Sequence, residues 1–252
     1  NNMNDIKTEL LNTNNTLTIH NNTLSTEKED LLSQKKKITK EKIIKAVLEC
    51  AFSNSVGSAS LSDISKKLGI KKASLYNHYE SRDAIIDDTI NYCGESLSRL
   101  SLIPAEMEMT ARKYNCDVVL KGLVHRWIKI FEKEPFIQIY SFIESQKYFS
   151  SKIHDIKNEC GKRFLNQIEI ALNSLENAGK ISAVSGEYRT SRAESFYALL
   201  NSLVDSYICS RKKVIRQNPK SGKGELFSFI AENEPDFKKA DRLIENFCLS
   251  LR

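Results

Sequence analysis

The chain has 252 residues, of which 28% are charged, and a formal net charge of +6. That length suits one large folded unit or two modest ones. No apolar run approaches the ~20 residues that a membrane-spanning helix needs, and the first residues lack the basic and apolar segments of a secretory signal. The composition therefore predicts a soluble, cytoplasmic protein with no membrane partner.

The residue types that commonly bind metals or catalyse reactions do not occur here in their usual spacings. Six cysteines lie at positions 50, 93, 116, 160, 209 and 248, none of them in a Cys-x-x-Cys pair or grouped with histidines. The SGKGE run at residues 221–225 lacks the spacing of a phosphate-binding loop. His125 lies on an apolar helical stripe, where a histidine is more often part of the core than a base. We expect no catalytic residue, metal or cofactor, and we interpret the cysteines as small buried apolar residues.

Positive charge is concentrated in one part of the chain. Between Lys35 and Arg82 there are eleven Lys or Arg and four Asp or Glu, whereas the rest of the chain has a net charge of −1. This concentration is typical of a surface that binds phosphate groups, although a solvated helical face is the other interpretation of a lysine-rich run. The preceding residues 1–34 are rich in Asn and Thr, which predicts a flexible extension.

After Lys37, apolar residues recur every three or four positions, and strand-like alternation is absent. Thr39 precedes the first apolar stripe, which runs from Ile43 to Phe52, and can cap the helix that carries it. Four helices are predicted in the first hundred residues, over about 40–52, 61–68, 72–79 and 82–100.

The remainder of the chain predicts five more helices. Pro135 suits the first turn of the sixth helix, and Gly179 suits the end of the seventh. A stretch with two prolines and two glycines, residues 211–236, is interpreted as a connector. The chain is therefore predicted to be all-α, with C-terminal apolar stripes beginning at Val119, Phe136, Ile153, Phe196 and Ala240.

The segment from Ser60 to Asp83 has the features of two helices joined by a sharp turn. Ser60 and Asp63 suit the exposed amides at the start of the second helix. Gly69 permits the left-handed conformation of a tight turn, and Ile70 can fill the angle between the helices. Together these features predict a helix-turn-helix.

The third predicted helix has two different faces. Leu75 and Tyr79 are four residues apart and point to the core, whereas Ser74, Asn77 and His78 lie on the other side. Polar side chains of these types can reach base edges and phosphates in a major groove. This pattern favours DNA binding over a merely solvated face.

The run LGIKKASLYNHYESRDAI resembles the recognition-helix signature of the TetR family of transcriptional regulators, and ITKEKIIKAVLECAF resembles the family's first helix. The resemblance implies an N-terminal three-helix helix-turn-helix DNA-binding domain (residues 35–97) and a C-terminal helical effector-binding and dimerisation domain (98–252). Together with the motif, it predicts the following DNA-binding residues: Ser60, Lys71, Lys72, Ala73, Ser74, Tyr76, Asn77, His78, Tyr79 and Arg82.

The resemblance also implies a homodimer, formed through the last two helices, on a near-palindromic double-stranded DNA operator. The predicted regulator is a ligand-responsive repressor, which an unidentified small-molecule effector would release from the operator. An alternative is a TetR-like co-activator that acts through protein partners rather than on DNA. Aromatic side chains that could either line the effector pocket or fill the core are Trp127, Phe131, Tyr140, Phe164 and Phe196.

Overall fold

The computed structural model describes residues 38–57, 59–217 and 237–252, and every regular element among them is a helix. The prediction of an all-α chain is thereby confirmed for the described residues. The predicted extension, Lys35 to Lys37 and most of the predicted connector lie outside them. The α-helices are α1 (Lys40–Ser53), α2 (Leu61–Leu68), α3 (Arg82–Ser98), α4 (Met107–Lys113), α5 (Cys116–Phe131), α6 (Phe136–Gln146), α7 (Ser151–Asn177), α8 (Glu187–Gln217) and α9 (Lys238–Leu249), and a 3₁₀ helix, Lys72–Asn77, lies between α2 and α3.

Serine side chains cap the N-termini of several of these helices, because each accepts a hydrogen bond from an otherwise unpaired backbone amide. Ser81 Oγ accepts from Ala84 N at 3.1 Å before α3, and Ser150 Oγ accepts from Ile153 N at 3.3 Å before α7. Gly179, with a φ of 68°, follows the end of α7, as its position in the sequence predicts.

Residues 43–252 and residues 1–42 form two separate units. In the unit of residues 1–42, Thr39 Oγ1 accepts a hydrogen bond from Lys42 N at 3.2 Å, which confirms the predicted cap. In the unit of residues 43–252, the predicted apolar stripe of α1 from Ile43 to Phe52 is buried.

The core of the larger unit is formed by long helices that pack side by side. α7 packs against α3, α4 and α8, while α5 packs against α8 and α9. A buried polar cluster also joins α5 to α8. The Tyr207 hydroxyl donates to the Glu132 carboxylate, which lies 3.7 Å from Nε of Arg211. None of the helices in the described residues combines the length and apolar composition that crossing a membrane requires.

Two helices after residue 100, α8 and α4, differ from the sequence-based expectation. α8 continues to Gln217, well into the predicted connector, because its last turns contain no glycine or proline before Pro219. The sequence does not predict α4. A helix of seven residues contains only one pair of buried apolar residues four positions apart, Met107 and Ala111, which is too short a pattern to indicate a helical period.

Candidate nucleic-acid interface

The start of α2 is fixed by a reciprocal pair of hydrogen bonds. Ser60 Oγ accepts from Asp63 N at 3.1 Å, and an Asp63 carboxylate oxygen accepts from Ser60 N at 3.1 Å. The Ser60 hydroxyl also donates to this carboxylate, and that hydrogen bond lowers the pKa of Asp63 below its ordinary value. The predicted cap is confirmed, and it satisfies amides that a helix of eight residues leaves unpaired.

The turn after α2 has the geometry that its glycine predicts. Gly69 adopts φ 67° and ψ 31°, a conformation that is costly for a residue with a Cβ. Its amide donates to Lys66 O at 3.2 Å, and the Ile70 amide donates to Ser65 O at 3.0 Å. These two bonds pair the last carbonyls of α2 and direct the chain sharply into the next segment.

The third helix is shorter and tighter than predicted. The sequence predicts a helix from about 72 to 79, whereas the structure has a 3₁₀ helix over Lys72–Asn77. Its bonds include Ser74 N to Lys71 O at 2.9 Å and His78 N to Leu75 O at 3.0 Å. Six residues are a long run for the 3₁₀ form, whose bonds close over three residues, and the buried side chains of Leu75 and Tyr79 attach this run to the core.

The two faces of this segment are where the sequence predicts them. Leu75 and Tyr79 are buried, with 1% and 7% of their surface exposed, and they anchor the segment to the core. Tyr76 is 52% exposed, and Asn77 is also exposed. The two anchors therefore present the remaining side chains outward: Lys71, Lys72, Ala73, Tyr76 and Asn77 are exposed, and Ser74 and His78 are partly exposed.

Besides the capping residue Ser60, two members of the predicted DNA-binding set have side-chain partners inside the protein. Arg82 donates from Nε to Ala59 O at 2.9 Å and from Nη2 to Val56 O at 2.8 Å, so it holds the loop that precedes α2. The hydroxyl of buried Tyr79 donates to Asp88 on α3 at 2.5 Å. Burial and this hydrogen bond raise the pKa of Tyr79 above its ordinary value. Tyr79 thus ties the segment to α3, and Arg82 ties the start of α3 to the loop before α2, contacts that the motif alone does not indicate.

Basic side chains surround the exposed face. Lys66 and Lys67 are exposed on the last turn of α2, and Lys71 and Lys72 follow the turn. Lys67 Nζ lies 2.5 Å from a carboxylate oxygen of Glu49 on α1, so part of this charge is already paired. The face combines cationic, amide and phenolic groups, which can contact phosphates and base edges together.

A second predicted site, the effector pocket, corresponds in part to a cavity of about 60 Å³. It lies among α3, α5, α6, α7 and α8. Of the five predicted aromatic residues, four line it: Trp127, Phe131, Tyr140 and Phe164. Trp127 packs edge-on against both Phe131 and Phe164, with ring centroids 5.1 and 4.7 Å apart.

Phe196, one of the five predicted pocket residues, lies outside the cavity. It is fully buried and packs against Phe247 of α9, with ring centroids 5.5 Å apart, and it does not line the cavity. It lies one residue before Tyr197, which does line the cavity. Successive helical positions point about 100° apart, so an apolar stripe alone does not distinguish these two faces.

The cavity also has polar walls that sequence reasoning missed. Glu144 accepts hydrogen bonds from Lys157 and Lys147. Burial acts to raise the pKa of Glu144, but these bonds outweigh it and hold the pKa below its ordinary value. Lys157, Tyr197 and Asn201 complete this polar side. No sequence signal identifies them, because they come from three helices and sit between apolar positions.

No protein-family model matches the chain. Among curated proteins, it is 27% identical over 116 residues to IcaR of Staphylococcus aureus, a helix-turn-helix negative transcriptional regulator of the biofilm operon icaADBC. The match covers 46% of this chain and 59% of IcaR. The chain thus spans about three-fifths of the length of the curated relatives it matches.

The fold has relatives among solved structures. A transcriptional regulator from Rhodococcus superposes with a TM-score of 0.52 at 12% identity, over 85% of this chain and 96% of that one. A TetR transcription regulator from Haloarcula marismortui superposes with a TM-score of 0.50 at 12% identity, over 84% of this chain and 97% of that one. The resemblance seen in the recognition segment, Ser60–Arg82, thus extends over 84–85% of the chain, which has the fold of the TetR-family transcriptional regulators.

Proposed function

We propose that the chain is a sequence-specific DNA-binding transcriptional regulator that represses its target genes as a homodimer. The observation that carries this proposal is the exposed face of residues 71–77, attached to the core by buried Leu75 and Tyr79. The similarity to a negative transcriptional regulator supports repression. We expect the protein to carry out this role in the cytoplasm.

The exposed side chains divide into two roles on DNA. Lys71 and Lys72 attract phosphates, and Tyr76 and His78 position the backbone of the duplex. Ser74 and Asn77 read base edges, an amide side chain being able to pair with the edge of adenine. Arg82 and Tyr79 contribute by fixing this segment, Ala73 lies within the exposed face, and Ser60 caps the preceding helix α2.

A homodimer doubles this interface and requires a near-palindromic operator. The pairing surface that we propose is formed by α8 and α9, which carry the exposed apolar side chains Tyr188, Leu243 and Leu249. Exposed apolar side chains on neighbouring terminal helices are suited to burial against a second copy. Sedimentation should therefore give twice the mass of the chain.

The cavity lined by Trp127, Phe131, Tyr140 and Phe164 is the proposed effector site. Its walls are mostly apolar, with the Glu144–Lys157 ion pair on one side. An effector lowers DNA affinity if it binds more tightly to a conformation that does not fit the operator. A molecule larger than the present 60 Å³ would enlarge the cavity as it binds.

The proposal is tested by selecting bound DNA from a random pool and measuring affinity for the selected sequence. Asn77→Ala should relax the preference at particular base pairs by about 1–3 kcal/mol. Asn166→Ala, an exposed amide on α7, is the matched control and should leave that preference unchanged. Affinity should also fall steeply between about 50 and 200 mM salt. Failure to enrich any sequence would overturn the proposal.

A further inference from the structure

Two cysteines far apart in the sequence lie in direct contact. Cys116 is the first residue of α5, and Cys248 lies in the last turn of α9. The Cys116 thiol donates to the Cys248 sulfur, with the two Sγ atoms 3.2 Å apart. Both are buried free thiols, exposed by 7% and 6%. Sulfur atoms at this separation can form a covalent bond after a movement of about 1 Å.

The contact is fixed by the way α9 lies along α5. Lys121 Nζ is 2.5 Å from a carboxylate oxygen of Glu245, and His125 Nε2 is 2.5 Å from a carboxylate oxygen of Asp241. The His125 ring also stacks on Phe237 at 4.0 Å. These contacts continue along α5 from the cysteine pair, so the two sulfurs are held in place by paired helices rather than by a loose loop.

The surroundings give the two thiols different chemical characters. The pKa of Cys248 is lowered because its thiolate accepts the hydrogen bond from Cys116, with help from the charges of Lys121 and Arg252. The same hydrogen bond and burial raise the pKa of Cys116. The contact and the nearby cations thus favour a thiolate at Cys248 that accepts a hydrogen bond from the Cys116 thiol.

We propose that Cys116 and Cys248 form an oxidation site, at which hydrogen peroxide or an organic hydroperoxide converts the pair to an intramolecular disulfide joining α9 to α5. This site is independent of the proposed DNA-binding face. It makes the attachment of the last helix depend on peroxide as well as on packing.

The reaction proceeds in two balanced steps. The Cys248 thiolate attacks one oxygen of hydrogen peroxide, the O–O bond breaks, and the other oxygen leaves as hydroxide, giving a sulfenic acid. Cys116 then loses its proton and attacks the Cys248 sulfur, so that the S–S bond forms and the S–O bond breaks. Two electrons pass from the thiols to peroxide, and two waters are produced. A thiol reductant reverses the oxidation.

The test is peptide mapping of the full chain after exposure to a small excess of hydrogen peroxide and blocking of remaining thiols. Trypsin places each cysteine on its own peptide, residues 114–121 and 243–252. We expect these two peptides to be recovered linked, and separated again by dithiothreitol. The oxidised chain should unfold at a temperature higher by about 5 °C or more, because the bond closes a loop of over a hundred residues.

Serine variants of single cysteines distinguish the proposed disulfide from other products of cysteine oxidation. Cys209→Ser removes an exposed thiol and should retain both the linked peptides and the thermal shift. Cys248→Ser should lose both. If the wild-type chain instead yields mainly sulfinic acid at these positions, links between chains through Cys209, or two peptides that remain unlinked, the proposal is wrong. The wild-type experiment alone decides the matter even if a serine variant fails to fold.

Discussion

The segment from Ser60 to Arg82 and the cavity are held together by contacts of very different sequence separation. In the segment, Ser60 bonds to Asp63, and Ile70 bonds to the carbonyl of Ser65. The cavity brings together residues as distant as Leu97 and Val204. Short-range contacts can be inferred from residue spacing, whereas the cavity requires knowing how whole helices pack. Substitutions in the two regions should therefore have different effects.

The largest effect is expected far from the recognition segment. Glu132→Ala leaves the guanidinium of Arg211 buried without its carboxylate and removes the acceptor of Tyr207. We expect the free energy of unfolding to fall by about 3–5 kcal/mol, as measured by urea denaturation. The exposed neighbour Lys133→Ala should change it by less than about 0.5 kcal/mol. An equally small loss for both variants would mean that the buried cluster does not tie α5 to α8.

An intermediate effect is expected where the recognition segment depends on a distant contact. Arg82→Ala removes two charge-assisted hydrogen bonds to the carbonyls of Val56 and Ala59. The free energy of unfolding should fall by about 2 kcal/mol. Lys72→Ala is the matched comparison, because this exposed cation should change the salt dependence of DNA affinity and leave stability unaltered. Unchanged stability of the Arg82 variant would mean that these two hydrogen bonds do not stabilise the loop before α2.

The smallest effect is expected at the cap of α2. Ser60→Ala should cost about 1 kcal/mol of stability near pH 7. Because the folded chain holds the pKa of Asp63 below its ordinary value, the stabilisation is present above about pH 4 and is lost as the pH falls through the folded pKa. Denaturation at several pH values should show the wild type and the variant converging in acid. A difference that stays constant with pH would exclude the carboxylate from the cap.

The same contrast in sequence separation explains what the sequence could predict. The cap at Ser60, the turn at Gly69 and the inward positions of Leu75 and Tyr79 follow from rules that act over five residues or fewer, and the structure confirms them. The partners of Arg82 did not follow from such rules, because the carbonyls it binds lie more than twenty residues away.

Packing between helices accounts for the remaining differences. Phe196 carries the same apolar signal as Trp127, yet only the second lines the cavity, because α9 covers the first. The cysteine pair is a further example, since Cys116 and Cys248 are separated by most of the C-terminal half of the chain. Their spacing in the sequence indicated buried apolar residues and gave no sign of contact.

Helix α3 connects the recognition segment to the cavity. It begins at Arg82, beside the recognition segment, and its buried Leu97 lines the cavity, so one continuous rod of 17 residues spans both. At 1.5 Å per residue this rod is about 25 Å long. Arg163 clamps its far end through the carbonyls of Leu97 and Ser98. A tilt of about 5° pivoting there displaces the Arg82 end by about 2 Å, which is several times the spread of about 0.5 Å in the length of a hydrogen bond to a base.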